Sequence, residues 1–194
     1  MKLVVGITGN FGTGKTTVAN FFKACGAHVI NADKIVHEIY RNDKRIQKKI
    51  RQTFGSGVFR KGTIDRGELA RAAFSKGRLL GKLCNIVYPE TVKKISERLK
   101  KSKKSINILD APMLIESGLN NYVDYIVVVC ASKRNQMRRC ASLGFAPDEI
   151  GKRLLFQMPS TKKIKFADFV INNNRSKEHV RKEVKKIWRK LKRR

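Results

Sequence analysis

Residues 9–16 hold the side chains whose types and spacing could do chemistry. They read Gly-Asn-Phe-Gly-Thr-Gly-Lys-Thr and fit the pattern G-x-x-x-x-G-K-[ST], in which glycines let backbone N–H groups turn toward phosphate oxygens. The Lys15 ammonium could reach the β- and γ-phosphates of a nucleoside triphosphate such as ATP, and the Thr16 hydroxyl could coordinate Mg²⁺. The pattern therefore predicts triphosphate binding; the alternative is a glycine-rich turn that binds nothing.

The segments on either side of this loop have the patterns that phosphate binding needs. Residues 2–8 form a short apolar run rich in β-branched residues, which is typical of a buried parallel strand. After the loop, apolar residues recur at helical spacing: Val18, Phe21, Phe22 and Cys25. The loop is therefore expected between a strand and a helix, whose N-terminus places a positive dipole end beside the phosphates.

Two acidic residues follow later apolar runs, in a chain that has few acidic residues. Asp33 comes after residues 27–31 and Asp110 after residues 105–109, both of which we predict to be strands. Because ligands gather at the carboxyl ends of the strands in open α/β sheets, both carboxylates are expected at the same edge as the phosphate loop. There Asp110 could hold Mg²⁺, and Asp33 could accept the proton of an attacking hydroxyl as a general base. The alternative for each is a helix N-cap.

Strand and helix patterns alternate along the rest of the chain. Two further strands are expected at residues 124–130 and 166–171. Helices are expected around residues 35–54, in the ranges 65–82, 88–104 and 136–158, and from residue 175 onward. Pro89 suits the first turn of the helix in the range 88–104. This order predicts an α/β fold, a P-loop NTPase with a five-stranded parallel sheet flanked by helices.

The charge of the chain suits an anionic partner. Lys and Arg number 44 against 15 Asp and Glu, a formal net charge of +29, as in proteins that bind nucleic acid or phosphorylated small molecules. The basic residues are spread along the chain, however, and the dense C-terminal stretch has apolar residues at helical spacing: Val180, Val184, Ile187, Trp188 and Leu191. That spacing predicts an amphipathic helix docked on the protein body. We therefore do not expect nucleic acid to be the partner.

Hydropathy and cysteine spacing predict the compartment. No run approaches the ~20 apolar residues that a membrane span needs, and the first apolar run leads straight into the phosphate loop, unlike a signal peptide. The four cysteines form no C-x-x-C pair and have no neighbouring His at metal-ligand spacing. We expect a cytoplasmic protein with reduced thiols and no membrane segment.

Short motifs spread over nearly the whole chain occur together in one family. They are Gly6-Ile7-Thr8 with the phosphate loop, Val29-Ile30-Asn31-Ala32-Asp33, Gly62-Thr63-Ile64-Asp65-Arg66, Tyr88-Pro89, Leu109-Asp110-Ala111-Pro112, Gln136 with Arg139, Arg153 with Gln157, Lys163, Ala167-Asp168 and Ile171-Asn172-Asn173. In this order they resemble dephospho-CoA kinase, a P-loop kinase of the nucleotide-kinase-like type. A lone phosphate loop could not supply that likeness.

The resemblance implies transfer of the ATP γ-phosphoryl group, with Mg²⁺, to the ribose 3′-hydroxyl of dephospho-CoA, the last step of CoA synthesis. It implies site residues as well: ATP on Gly12, Thr13, Gly14, Lys15, Thr16 and Thr17, Asp33 as the base, Lys15 and Arg139 as further catalytic residues, Mg²⁺ on Thr16 and Asp110, and the acceptor on Asp33, Asp65, Arg66 and Tyr88. Residues 55–104 correspond to a helical acceptor-side subdomain and residues 136–158 to a lid that would exclude water. Residues 1–194 are then one kinase domain, which we expect to be a monomer.

Three positions depart from the family pattern. Asn31 stands where the family usually has Asp, which leaves Asp33 as the local carboxylate. Tyr88 replaces the usual His, and near Leu143-Gly144 the usual Arg-Asp pair is missing from a slightly shortened lid. Nearby basic residues could compensate: Arg138, Lys152 or Arg153. The alternative for any one lid arginine is a solvated helix face.

Two other functions stay open. A basic P-loop NTPase that binds RNA would account for the charge, although RNA-recognition motifs are missing and aromatic residues are scarce. A kinase of the same architecture could act on a nucleotide or another small alcohol; shikimate kinases typically show D-x-D after the second strand, where this chain has Asn31-Ala32-Asp33. A kinase should consume ATP only with its acceptor, whereas RNA affinity should fall steeply with salt.

Overall fold

The computed structural model describes residues 2–75 and 77–193. Residues 1, 76 and 194 lie outside the described residues; residue 76 falls in the helix expected at 65–82, and residue 194 in the helix expected from residue 175 onward. Its strands are β1 (Leu3–Thr8), β2 (His28–Asn31), β3 (Phe59–Arg60), β4 (Thr63–Ile64), β5 (Ile106–Asp110), β6 (Tyr125–Cys130) and β7 (Phe169–Asn172). Its helices are α1 (Lys15–Ala24), α2 (Ala32–Asn42), α3 (Lys44–Phe54), α4 (Arg66–Ser75), α5 (Gly77–Lys101), α6 (Lys133–Ala141), α7 (Pro147–Leu155), α8 (Ser160–Lys163) and α9 (Lys177–Lys192). Short 3₁₀ turns lie at Ser56–Val58, Leu119–Tyr122 and Ile164–Phe166.

The first compact unit comprises the chain up to Asn31 and from Ser102 onward. Within the described residues its sheet has five parallel strands in the order β2-β5-β1-β6-β7. Because β1 is central, Ile7 pairs with Asp110 on one side and with Val127 on the other. The parallel α/β sheet predicted from the apolar runs is therefore confirmed.

The hydrophobic core of this unit lies between its sheet, α1 and α9. Ile7 and Val127 are buried, and Phe22 of α1 packs in the same cluster. On α9 the buried residues lie on one face: Val180, Val184, Ile187 and Leu191. Full burial of a Val, Leu or Ile side chain stabilises a fold by about 1.5–3 kcal/mol, so this face holds the helix on the protein body. The amphipathic docking helix is confirmed, and its basic residues lie on the exposed side.

The second compact unit is Ala32–Lys101. The long helix α5 packs against α2, α3 and α4, and β3 pairs with β4 in a small antiparallel hairpin. Ile35, Ile39 and Ile50 of α2 and α3 are fully buried. Because these two helices pack with α5, the unit begins well before the range 55–104 expected for the acceptor-side subdomain.

The prediction that Pro89 occupies the first turn of a helix is wrong. α5 runs without interruption from Gly77 to Lys101, with Pro89 in its interior. Proline lacks the N–H for a helical bond and crowds the carbonyl four residues earlier, at a cost of about 3 kcal/mol. Packing of α2, α3 and α4 along α5 offsets that local cost. A rule based on neighbours in sequence does not include this packing.

Two other boundaries differ from expectation. The helical range 136–158 is two helices, α6 and α7, because Gly144 turns the chain between them with a φ of +84°. The strand expected at 166–171 begins only at Phe169, after the 3₁₀ turn Ile164–Phe166. In the described part of the chain, no helix is both long and apolar enough to cross a bilayer.

Candidate active site

The phosphate loop after β1 is closed by three hydrogen bonds to one carbonyl. The Asn10 carbonyl oxygen accepts from the Thr13 backbone N–H at 3.2 Å, from the Thr13 hydroxyl at 2.8 Å and from the Lys15 ammonium at 3.1 Å. α1 begins at Lys15, so the positive end of its dipole lies at the loop. Lys15 is half-buried and Thr16 is exposed, so both can meet a ligand from solvent.

Arg139 and Asn173 fasten this loop to the rest of the first unit. The Thr13 carbonyl accepts from Arg139 Nη1 at 3.2 Å and from Asn173 Nδ2 at 2.7 Å. Arg139 Nη2 also donates to the Asn173 carbonyl at 2.7 Å. Arg139 lies on α6 and Asn173 directly follows β7, so the arginine predicted to be catalytic ties both elements to the loop.

Phe11, also in the loop, packs against the segment formed by α6 and α7. Its ring meets the Phe145 ring edge to face with centroids 5.0 Å apart, and the Arg153 guanidinium carbon lies 4.9 Å from both centroids. The Phe11 backbone N–H donates to Gln157 Oε1 at 2.8 Å. Aromatic pairs and cation–π contacts each contribute about 0.5–1.5 kcal/mol. The segment predicted to be a lid is thus attached to the loop in this conformation.

Asp110 is the last residue of β5 and is 4% exposed. Its carboxylate oxygen Oδ2 accepts from Asn31 Nδ2 at 3.0 Å, across the pairing of β2 with β5. Residues 112–118 form turns, so no described helix begins directly after Asp110 for it to cap. The strand register also brings Asp110 beside Ile7, close in sequence to the phosphate loop, which agrees with the expected shared edge.

Asp33 lies in the second unit, in the first turn of α2, and its side chain is exposed. Because α2 already begins at Ala32, Asp33 is not the residue that precedes the helix; its negative charge instead favours the positive end of the helix dipole. His37 follows one turn later on the same face. Burial and the Arg66 charge lower the pKa of His37, whereas the Asp33 carboxylate raises it. These influences place Asp33, His37 and Arg66 near one another within the second unit.

The other predicted acceptor residues also lie in the second unit. Asp65 Oδ1 accepts from the Gly67 N–H at 2.9 Å and the Glu68 N–H at 3.1 Å, so Asp65 caps α4. The hydrogen bond from the Glu68 N–H is the main cause that lowers the pKa of Asp65. Asp65 therefore fixes the start of α4, where Arg66 is exposed as the first residue. Tyr88 lies half-buried inside α5.

Several residues that shape these sites had no role in the sequence prediction. The sequence motifs contain Asn173 and Lys163 without predicting a role for them, and they do not contain His37. The sequence clue to His37 is its position four residues after Asp33, which is about one turn along a helix. No local signal identifies Asn173 or Lys163, because their side chains bond groups at least 47 positions away in the sequence.

Replacing Gly14 with Ala is expected to weaken ATP binding at least ~10-fold, as isothermal titration would measure. Gly14 has a φ of +88°, and an added Cβ would lie 2.2 Å from Asn173 Nδ2, which is held by its bond to the Thr13 carbonyl. Gly144→Ala is a matched control: its φ is +84°, which carries a similar strain of about 1 kcal/mol, but no atom lies within 4 Å of the added Cβ. Equal losses of ATP affinity in both variants would contradict the collision argument.

Comparison with known proteins identifies relatives over almost the full length. Residues 3–179 match the family model described as dephospho-CoA kinase. The chain is 37% identical to the dephospho-CoA kinase of Aquifex aeolicus over 189 residues, which cover 96% of each chain. Its structure superimposes on that of TT1252 from Thermus thermophilus with a TM-score of 0.85 at 29% identity, covering 98% of both chains. The dephospho-CoA kinase from Campylobacter jejuni gives a TM-score of 0.70 at 27% identity with the same coverage.

Proposed function

Because this chain belongs to the dephospho-CoA kinase family, we propose that it transfers the γ-phosphoryl group of ATP to the ribose 3′-hydroxyl of dephospho-CoA, the last step of CoA synthesis. The family match over residues 3–179 carries this proposal. The anchored phosphate loop supports it, since the closed loop, Lys15 and the end of α1 together form a binding site for a triphosphate.

On the nucleotide side, the loop residues Gly12 to Thr17 bind the phosphates. Backbone N–H groups and the Lys15 ammonium contact the β- and γ-phosphate oxygens, where negative charge is spread during transfer. Lys15 donates to the Asn10 carbonyl at 3.1 Å, and we propose that phosphate oxygens take the place of that carbonyl when ATP binds. Lys15 thereby lowers the energy of the transition state, the role that makes it catalytic.

Thr16 and Asp110 fit a Mg²⁺ ion that arrives with the nucleotide. Both offer oxygen ligands, which Mg²⁺ prefers, and the described residues contain no cluster of three or more His, Cys, Asp or Glu that could hold a metal. A hydroxyl and one carboxylate suit an ion that keeps its waters and is otherwise bound by substrate phosphates. Bound there, Mg²⁺ would neutralise charge on the phosphates. The Asn31 amide fixes the Asp110 carboxylate without adding a second negative charge.

On the acceptor side, Asp33 accepts the proton from the ribose 3′-hydroxyl as that oxygen attacks phosphorus. Its side chain is exposed to solvent, from which the acceptor alcohol arrives. Arg66, fixed by the Asp65 cap, supplies a positive charge for the phosphate groups of the acceptor, and we assign Tyr88 of α5 to the same substrate. Asp65 thus serves substrate binding by positioning Arg66.

We assign residues 136–158 as a lid that excludes water from the reacting phosphates. The contacts of Phe11 with Phe145, Arg153 and Gln157 keep the segment on the loop. Arg139 serves catalysis by holding the Thr13 carbonyl, because a displaced loop could not align the γ-phosphate for in-line transfer.

An ADP-release assay with different acceptors tests the proposed reaction. ADP should form with dephospho-CoA, and the product should carry a new 3′-phosphate by ³¹P NMR. AMP, shikimate and RNA should give no release above the acceptor-free rate. Release with shikimate or AMP, and none with dephospho-CoA, would reassign the substrate; RNA-dependent release that falls steeply with salt would indicate an RNA-binding NTPase.

We propose that the protein acts as a monomer in the cytoplasm. All four cysteines are free thiols, which suits a reducing compartment. Sedimentation equilibrium at micromolar concentration should give the mass of one 22.1 kDa chain.

A further inference from the structure

Lys163, the last residue of α8, is fully buried although its side chain is an ammonium. Burial lowers its pKa, while the hydrogen bond and charge of Glu116 raise it. Lys163 Nζ lies 3.0 Å from Glu116 Oε1 and 3.2 Å from Oε2, and the Glu116 side chain is only 14% exposed. Charges this far from water are expensive unless they are paired and hydrogen-bonded. A contribution to stability alone therefore does not explain why this ion pair is buried.

The ammonium joins the entry of the phosphate loop to the exit of the Asp110 strand. Nζ donates to the Pro112 carbonyl at 2.6 Å and to the Thr8 hydroxyl at 3.3 Å. The same Thr8 hydroxyl donates to the Pro112 carbonyl at 2.9 Å. Thr8 directly precedes the phosphate loop, and Pro112 lies two residues after Asp110. One cation thus sets the spacing between these two parts of the nucleotide site.

The same pair reaches the exit of the α6–α7 segment. Glu116 Oε1 accepts from the Met158 backbone N–H at 2.8 Å. Close to that point, Asn10 of the phosphate loop donates from Nδ2 to the Met158 carbonyl at 3.3 Å and accepts from the Ser160 hydroxyl at 2.8 Å. The end of the segment, the loop and the turn after β5 are therefore joined around one buried ion pair.

We propose that Lys163, paired with Glu116, is a positioning residue that holds the phosphate loop, Asp110 and the exit of the α6–α7 segment in the one arrangement that supports phosphoryl transfer. Lys163 acts through these groups and is itself shielded from the nucleotide. Transfer is more sensitive to this arrangement than ATP binding is, because displacements of about 1 Å in a reacting geometry cost about 10²-fold in rate. The loop's own N–H groups and Lys15 still bind the phosphates when the arrangement loosens.

A double-mutant cycle separates positioning from simple stabilisation. Lys163→Met leaves Glu116 buried without its cation and should lower Tm. Adding Glu116→Gln removes that uncompensated charge, so the double variant should recover most of the lost Tm. We expect its kcat with dephospho-CoA to stay at least ~30-fold below wild type, with ATP Kd within ~5-fold. Lys162→Met, an exposed neighbour on α8, and Ile187→Ala, a core truncation on α9, should keep kcat within ~2-fold when assayed below their Tm.

Amide hydrogen exchange adds a local readout that does not need the reaction. In the double variant the Met158 and Phe11 N–H groups should exchange at least ~10-fold faster, while the amides of α9 should be unchanged. Only the kcat measurement rests on the proposed kinase function. If the wild type were inactive on dephospho-CoA, that function would be rejected, and the hydrogen-exchange test of the positioning role would still apply. A double variant with kcat within ~3-fold of wild type would overturn the positioning role. So would a fall in ATP affinity as large as the fall in kcat, or unchanged exchange at Met158 and Phe11.

Discussion

Asp33→Asn is expected to lower kcat for phosphorylation of dephospho-CoA at least ~10²-fold while ATP affinity stays within ~3-fold of wild type. Asn has nearly the shape of Asp but cannot accept a proton, and a general base contributes about 10²–10⁴-fold to rate. A ~10²-fold loss corresponds to about 2.7 kcal/mol of transition-state stabilisation. Because Asp33 is exposed in the first turn of α2, the fold should tolerate the change. Steady-state kinetics and ATP titration of the same preparation measure both quantities.

Glu38→Gln is the matched control for Asp33→Asn. Glu38 lies on the same helix and is ion-paired with Arg98, so its substitution removes one negative charge from α2 without touching the proposed base. An exposed ion pair contributes at most about 1 kcal/mol, so kcat should stay within ~2-fold. Near-normal turnover by Asp33→Asn would remove Asp33 as the base, and equal losses in both variants would indicate a general charge effect.

Lys15→Met should lower kcat/KM for ATP at least ~10²–10³-fold. Methionine preserves much of the length of the side chain and deletes the ammonium that contacts the transferring phosphate oxygens; removing one such donor costs about 10²–10³-fold in rate. Lys15 also donates to the Asn10 carbonyl, but the two bonds from Thr13 still close the loop. The variant should therefore fold with a Tm close to that of wild type, as calorimetry would show.

Lys23→Met provides the comparison for Lys15→Met. Lys23 is exposed near the end of α1, two turns from the phosphate loop, and its loss changes the net charge of the helix equally. If long-range attraction by a strongly basic protein accounted for ATP binding, both variants would lose similar affinity, and the loss would shrink with added salt. A loss confined to Lys15→Met assigns the effect to contact with the phosphates.

The fold was predictable where its signal is local. The inner strands of the central sheet, β1, β5 and β6, are largely buried on both faces, so they appear in the sequence as continuous apolar runs such as residues 125–130. The hairpin of β3 and β4 was missed because two-residue strands have no periodicity. Pro89 was misplaced because a rule about neighbours in sequence could not include the three helices that pack on α5.

The residues of the candidate site were likewise predictable only where the signal is local in the sequence. Lys15 and Thr16 are identified by eight consecutive residues, and Asp110 by its position at the end of an apolar run. The roles of Arg139 and Lys163 depend on contacts with Thr13 and Thr8, which are distant in sequence. In a chain with 44 Lys and Arg, nothing local distinguishes one buried lysine from its many exposed counterparts.

The central position of β1 has a consequence for how the protein is made. β1 leaves the ribosome well before its two partner strands, since Leu3 pairs with Ile106 and Val5 with Tyr125. At about 5–20 residues per second, synthesis of those partners takes roughly 5–25 s, during which an apolar strand has both hydrogen-bonding edges open. Both edges of β1 should therefore stay unpaired in the nascent chain until β5 and β6 have emerged.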